Sequence, residues 1–266
     1  MRHRAELTAW PLEPPARNTV RHMFERIVCG VDGSEASLEA VRQADVLVAD
    51  GGRLVLVAAV DLTDALHFQI APTAVHAAKH ALEQAEELDR RALESLDHAR
   101  AQVVRATDVA TVQASGAPAR CLAETAIAEG APLVAVGSHG LGRAEDLGGV
   151  AVRLLHRAGC SLHVARAPAD GRWSPQRIAV GTDGSPPSVA AVAAARELGA
   201  RLGAEVEELT VEHHRPGHAL VEAADGADLL VVGRRGSHRA HLLGSVSHHV
   251  ARAARCSVLV VRDEPA

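Results

Sequence analysis

Aromatic side chains are almost missing from this chain. They make up 2% of its 266 residues, and there is no tyrosine. Hydrophobic residues still account for 47%, so the chain can form a packed core, built mainly from alanine, valine and leucine. The scarcity of aromatic rings argues against a protein that binds nucleic acid by stacking bases on them.

Lysine and long basic segments are scarce as well. Lys79 is the only lysine among the 28 lysine and arginine residues, and the formal net charge is −5. An acidic chain without a basic run lacks the charge that attracts a phosphate backbone. We therefore expect no nucleic-acid partner.

The chain also lacks features of secreted and membrane proteins. Its four cysteines form no CxxC pair, which argues against a thiolate metal site and against a disulfide framework. No apolar run approaches the roughly 20 residues that span a bilayer, and residues 1–25 contain no apolar targeting segment. We expect a cytoplasmic protein with no membrane partner, in which residues 1–25 are poorly ordered.

The chain contains an internal repeat. "RIVCGVDGSEAS" from Arg26 matches "RIAVGTDGSPPS" from Arg177, 151 residues later. A glycine loop after Val136 matches one after Val232, only 96 residues later, so the second copy is shorter by 55 residues. The predicted organisation is a first domain at 26–167, a Pro/Gly linker at 168–176 and a shortened second domain at 177–264.

Each copy alternates short apolar runs with alanine-rich helical segments. This alternation is typical of an α/β fold, and it predicts two doubly wound, Rossmann-like domains with parallel sheets. The first copy contains a long helical pattern at 75–104 followed by the strand "DVATVQA", and the second copy has neither. The second domain should therefore lack one helix and one edge strand.

Both copies place an aspartate and a glycine loop where a doubly wound sheet binds ligands. With strand order 3-2-1-4-5, the sheet reverses direction between the ends of strands 1 and 4. Glycine lets backbone N–H groups approach an anion, and the helix N-terminus that follows favours a phosphate. The aspartate offers a carboxylate to ribose hydroxyls or a base edge. The candidate binding residues are Asp32, Gly137, Gly140, Gly148, Gly149 and Val150 in the first copy, and Asp183, Gly233, Gly236, Gly244, Ser245 and Val246 in the second.

Simpler interpretations exist for each motif. Glycines after a strand are often plain turns, and an aspartate before a helix is often a cap. The clustered histidines are better explained as solvated loop residues than as metal ligands, because no carboxylate or cysteine stands at ligand spacing. No nucleophile, base and orienting group can be assembled from the motifs, so no catalytic residue is assigned.

In combination, the motifs resemble the universal stress protein family, as two tandem domains. The matching segments are "VDGS" and "TDGS", "VGSHG" and "VGRRG", "LGSVS", and the closing "CSLHVAR" and "CSVLVVR". The resemblance implies five parallel strands per domain and, in one branch of the family, ATP as a cofactor bound at Gly-x-x-Gly, nine residues, then Gly-Ser/Thr. It also implies pairing through the last strands, either between the two copies or in a homodimer.

The chain departs from the family pattern in its loops. Both spacers have seven residues, at 141–147 and 237–243, and Gly149 stands where the pattern has serine or threonine. Taken as a whole, the resemblance still favours a stress-response protein that binds an adenine nucleotide in at least one domain. A protein-interaction module that binds no nucleotide is the alternative, and a slow adenine-nucleotide hydrolase is a weaker one.

Overall fold

The computed structural model describes residues 22–61, 74–141, 147–169, 171–210, 216–234 and 245–262, with the backbone alone at 74–81 and 245. The first half contains β1 (Arg26–Val31), α1 (Glu35–Leu47), β2 (Arg53–Val60), α2 (Ala74–Ala101), β3 (Asp108–Ser115), α3 (Pro118–Ala128), β4 (Leu133–Gly137), α4 (Gly149–Arg157) and β5 (Ser161–Ala165). The second half contains β6 (Arg177–Thr182), α5 (Pro186–Leu202), β7 (Glu205–Thr210), α6 (Pro216–Ala223), β8 (Leu229–Arg234), α7 (Ser245–Ala253) and β9 (Ser257–Arg262).

All nine strands form one sheet, in the order β3-β2-β1-β4-β5-β9-β8-β6-β7. Within each half the strands are parallel, and the halves join where β5 pairs antiparallel with β9. The first half has the doubly wound order 3-2-1-4-5, so the predicted fold class is confirmed. The reversal between β1 and β4 opens a crevice at their carboxyl ends.

The second half is shorter in the way that the repeat predicted. Strand β7 ends at Thr210 and α6 begins at Pro216, which leaves five residues where the first half has α2 and β3. In the described part of the chain, β7 is therefore an edge strand, whereas its counterpart β2 pairs with β3. The lost strand lies at the sheet edge, away from the crevice between β6 and β8.

Two apolar layers cover the two faces of the sheet. One layer contains the buried residues of α1 and α5, and the other those of α3, α4, α6 and α7. The strands are apolar on both faces because helices cover both. None of the described helices is long and apolar enough to cross a membrane.

The folded region begins before the first strand. Met23 and Phe24 are each only 1% exposed and belong to the core layer that contains α1. The prediction that residues 1–25 are poorly ordered therefore fails for 22–25, where two apolar side chains are buried. Residues 1–21 lie outside the described part.

A buried polar network joins the two halves at the junction. Gln43 on α1 is fully buried, and its Oε1 accepts hydrogen bonds from His163 Nε2 on β5 and from Ser257 Oγ on β9, both at 2.8 Å. Its Nε2 donates to Glu39 Oε1 at 2.7 Å and to the Arg166 carbonyl at 2.8 Å. One amide thus satisfies groups from both halves, which specifies how β5 and β9 meet.

Arginines at the ends of the last strands reinforce this pairing reciprocally. Arg262, the last residue of β9, donates to the carbonyl of Ala158 beyond α4 at 2.6 Å. Arg166, after β5, donates to carbonyls of Ala251 on α7 and of Cys256. Each half therefore satisfies carbonyl groups at the helix C-terminus of the other half.

The network predicts that Gln43→Leu strongly destabilises the protein. The leucine is similar in size but leaves the His163 ring, the Ser257 hydroxyl and the Arg166 carbonyl without this partner. We expect the free energy of unfolding to fall by about 2–4 kcal/mol, measured by urea denaturation. Gln113→Leu, on the exposed face of β3, is the control, and we expect a change within about 0.5 kcal/mol. Equal effects of the two substitutions would contradict the role given to the network.

The histidine of this network predicts a dependence of stability on pH. Burial lowers the pKa of His163 to about 3, well below the 6.5 of a free side chain. As the pH falls below 6.5, the unfolded chain takes up a proton that the folded protein does not. The free energy of unfolding should therefore decline on acidification, with His163 contributing up to about 1.4 kcal/mol per pH unit between about pH 6 and 4.

The comparison between wild type and His163→Gln isolates that contribution. Burial also lowers the pKa of His156 and His249, and these histidines are present in both proteins. We expect urea denaturation at several pH values to show a shallower loss of stability in the variant. If the unfolding free energies of the two proteins fell in parallel with pH, His163 would not be the cause of the pH dependence.

Candidate nucleotide-binding site

A tight turn fixes Asp32 at the carboxyl end of β1. Its Oδ1 accepts hydrogen bonds from Ser34 N at 3.0 Å and from Ser34 Oγ at 2.6 Å, and Gly33 takes a φ of +81°. Ser34 is the N-cap of α1, as its position predicts, and its Oγ accepts from Ser37 N at 3.2 Å. One carboxylate oxygen is thus held by the turn, whereas Oδ2 forms no hydrogen bond with a described residue.

The second half repeats this turn. Asp183 Oδ1 accepts hydrogen bonds from the backbone N and the Oγ of Ser185, and Gly184 has a φ of +75°. Ser188 occupies the place of Ser37, and each of these serines accepts a hydrogen bond from the backbone N of its aspartate. The DGSxxS pattern therefore closes the same turn in both halves.

The glycine loop of the first half passes directly over Asp32. A Cβ atom added to Gly140 would lie 2.4 Å from Asp32 Oδ2. Side chains larger than hydrogen are therefore excluded at this position unless Asp32 moves. This close approach joins the two motifs that the sequence placed about a hundred residues apart.

The N-terminus of α4 opens into the same space. Gly148 is its N-cap, and no side chain caps the helix. The Gly148 N–H donates to the Ser138 carbonyl at 2.7 Å, so it is not available to a ligand, and the next N–H groups begin the helix. A Cβ at Gly149 would meet no atom of the described residues within 4 Å. The structure therefore offers an uncapped helix terminus with free space beside it.

These elements surround a cavity of about 420 Å³ at the carboxyl ends of β1 and β4. The six candidates of the first half all line it: Asp32, Gly137, Gly140, Gly148, Gly149 and Val150. The sequence analysis did not single out its other lining residues, among them Ser37, His139, Val57, Ala59, Pro118 and Leu122. The repeated DGSxxS pattern could have identified Ser37, but no local pattern marks the apolar wall, to which both β2 and α3 contribute.

Gly137 has a packing role besides its place at the cavity. A Cβ at Gly137 would lie 2.7 Å from the carbonyl carbon and oxygen of Ala36, in the first turn of α1. Gly233 is in the same position in the second half, where a Cβ would lie 2.3 Å from the Pro187 carbonyl oxygen. Both glycines therefore let a helix approach the end of a strand, which the prediction of an anion contact did not include.

The structure describes only some of the candidate binding residues of the second half. Asp183 directly follows β6, and Gly233 is the residue before the last one of β8. Gly236 and Gly244 lie outside the described residues. Ser245 begins α7, and Val246 packs partly buried against the core. Arg234, the last residue of β8, donates hydrogen bonds to the carbonyls of Ala158 and His156 in the first half.

The glycine contacts predict that two alanine substitutions differ in their effect on stability. Gly137→Ala forces a methyl group against the backbone of α1, and we expect it to lower the free energy of unfolding by about 1–3 kcal/mol. Gly149→Ala places the same methyl group in open space, and we expect no loss. Urea denaturation of both proteins checks this, and a Gly137→Ala protein as stable as wild type would contradict the packing argument.

The chain is similar in sequence to curated proteins of one family. Universal stress proteins of Mycobacterium tuberculosis and Mycobacterium bovis are each 30% identical to the chain over 188 residues, which cover 52% of this chain and 64% of theirs. The chain thus matches less than two thirds of the length of these curated relatives.

Solved structures share the fold over most of the chain. A universal stress protein from Archaeoglobus fulgidus has a TM-score of 0.63 at 17% identity, covering 90% of this chain and 98% of its own. A functionally unknown protein from Pseudomonas aeruginosa has a TM-score of 0.60 at 14% identity, covering 90% and 92%. The sequence model of the universal stress protein family matches residues 23–166 and 200–262. With a match over most of its length, the chain belongs to the universal stress protein family.

Proposed function

We propose that this protein binds an adenine nucleotide, ATP in the first instance, in the cavity of its first half. The observation that carries the proposal is that the Asp32 carboxylate, the Gly140 loop and the uncapped N-terminus of α4 line one cavity with an apolar wall. Its volume of about 420 Å³ lies in the range of small-molecule sites. Nucleotide occupancy would then change the protein's shape or its partners in a stress response.

The phosphate groups belong at the N-terminus of α4. The first N–H groups of a helix have no intrahelical acceptor, and the helix dipole places partial positive charge there. Gly148 supplies no capping side chain, and the space beside Gly149 is open. An anion can therefore approach these N–H groups without displacing a side chain of any residue that the structure describes.

The nucleoside belongs between Asp32 and the apolar wall. Asp32 Oδ2 forms no hydrogen bond with a described residue, so it can accept one from a ribose hydroxyl. Val57 and Ala59 from β2, with Pro118 and Leu122 from α3, supply apolar surface for a base.

The lining does not favour hydrolysis. Asp32 and His139 are the titratable side chains among the lining residues, Asp32 is held by its turn, and His139 Nδ1 lies 3.0 Å from Ser138 Oγ. No second group orients either of them toward a phosphate as a general base. We therefore propose binding rather than turnover.

Calorimetric titration with ATP and AMP tests the proposal. We expect dissociation constants on the order of micromolar for the wild type. Gly140→Val should abolish binding, because its side chain would overlap Asp32 Oδ2. Gly236→Val, the counterpart in the second half, should leave the affinity of this cavity unchanged.

Gly149→Ser tests whether the affinity for nucleotide can be increased. The open space accepts the side chain, whose hydroxyl can donate to a phosphate, so we expect the affinity to rise about tenfold. Gly149→Ala is the matched control without the hydroxyl. No heat from folded wild-type protein at millimolar nucleotide would overturn the proposal and favour an interaction module on the same fold.

A further inference from the structure

A second cavity, of about 380 Å³, lies where the two halves and the segment between them meet. We call it the junction cavity. Its lining comes from the end of α1, the segment between α2 and β3, the linker and the end of α5: Val46, Arg105, Arg172, Trp173, Ser174, Pro175, Arg201 and Leu202. Both halves contribute, so the cavity depends on their pairing.

Three arginines line the junction cavity, and none of its lining residues is acidic. The structure gives Arg201 a partner: its Nη2 donates to the carbonyls of Leu47 at 2.7 Å and Val48 at 3.3 Å, and its guanidinium lies 5.1 Å from the Phe24 ring centroid. This contact satisfies the C-terminus of α1 and offsets its partial negative charge.

The side chains of Arg105 and Arg172 have no such partner. Both are exposed residues, and within the described part of the chain neither guanidinium forms a hydrogen bond or an ion pair. The carboxylate of Asp45, which adjoins Arg105, already accepts hydrogen bonds from the backbone N–H groups of residues 104–106. It is therefore committed to holding the backbone, and does not neutralise the Arg105 side chain by direct contact.

The pKa of Arg201 reflects the other charged groups that lie near the junction cavity. Burial lowers the pKa of Arg201, the carboxylates of Glu197 and Asp50 oppose that change, and the positive charge of Arg105 adds to it. Neither carboxylate forms an ion pair with a lining arginine within the described residues. Among the described residues, the two cationic groups of Arg105 and Arg172 in the junction cavity thus have no direct counter-charge.

We propose that the junction cavity binds a phosphate-bearing small molecule, with Arg105 and Arg172 contacting the phosphate oxygens. A guanidinium presents paired N–H donors that match two oxygens of one phosphate. Val46, Trp173, Pro175 and Leu202 supply apolar surface for an organic group attached to it. The cavity volume is in the range of small-molecule sites.

This site is separate from the proposed nucleotide cavity. Ser37 in the first turn of α1 lines the nucleotide cavity, whereas Val46 near its end lines the junction cavity. Nine residues of helix place them about 14 Å apart along the axis. The lining residues of the two cavities do not overlap, and a ligand that contacts both halves would stabilise their pairing.

Inorganic pyrophosphate tests the site in a chain whose nucleotide cavity is blocked by Gly140→Val. We expect calorimetric binding on the order of 0.1 mM at constant ionic strength, and a higher melting temperature than in matched chloride. Adding Arg105→Gln and Arg172→Gln should weaken binding at least tenfold. These side chains form no hydrogen bond or ion pair with the residues that the structure describes, so the variant should fold.

Arg153→Gln with Arg255→Gln is the matched control. It removes the same charge from two exposed arginines that do not line the junction cavity, and binding should persist. Repeating the arginine variants without Gly140→Val guards against misfolding of that background. No binding to the folded Gly140→Val protein, or equal loss in the two double variants, would overturn the proposal.

A titration with phenyl phosphate distinguishes the two possible kinds of ligand, an organic phosphate and inorganic phosphate. Tighter binding than inorganic phosphate would support an organic phosphate that uses the apolar walls. Equal affinities would overturn that part and identify the inorganic anion as the ligand.

Discussion

The antiparallel pairing of β5 with β9 is the constraint on which the rest of the structure depends. It joins a five-stranded and a four-stranded sheet, and it removes an exposed edge from each. The pairing carries a buried polar network around Gln43, which satisfies groups from both last strands and therefore penalises a shifted register. The same pairing brings the C-terminal ends of α1 and α5 together, where Arg201 of one half meets carbonyls of the other.

The proposed nucleotide site depends on a second constraint, the close approach of helix and loop at the carboxyl ends of β1 and β4. Gly137 lets α1 pack against the end of β4, and Gly140 lets the following loop pass over Asp32. Each contact would be lost with a single added carbon atom. The glycines are therefore needed for the shape of the cavity as well as for access of backbone N–H groups, and loss of either would disturb the packing that holds Asp32 in place.

Much of the fold was predictable because it is encoded in local patterns. The repeat, the parallel strands and the absence of one helix and one strand follow from matching motifs and from their unequal separations. The meeting of Asp32 with Gly140 followed from the topology of a doubly wound sheet. Other features were missed because distant residues create them: the burial of Met23 and Phe24 before β1, and the hydrogen bonds from Arg234 to carbonyls at the end of α4.

By itself, the sequence determined the duplicated α/β fold and the motifs that could meet at each switch point, because periodicity and turn chemistry act over short stretches of chain. Only the tertiary structure decided how the halves join, what each glycine contacts and where unpaired arginines gather. Those features depend on distances between segments far apart in the chain. Gly137 and Gly149 illustrate the difference, since both are glycines of one loop region, yet one lies against a helix backbone and the other faces open space.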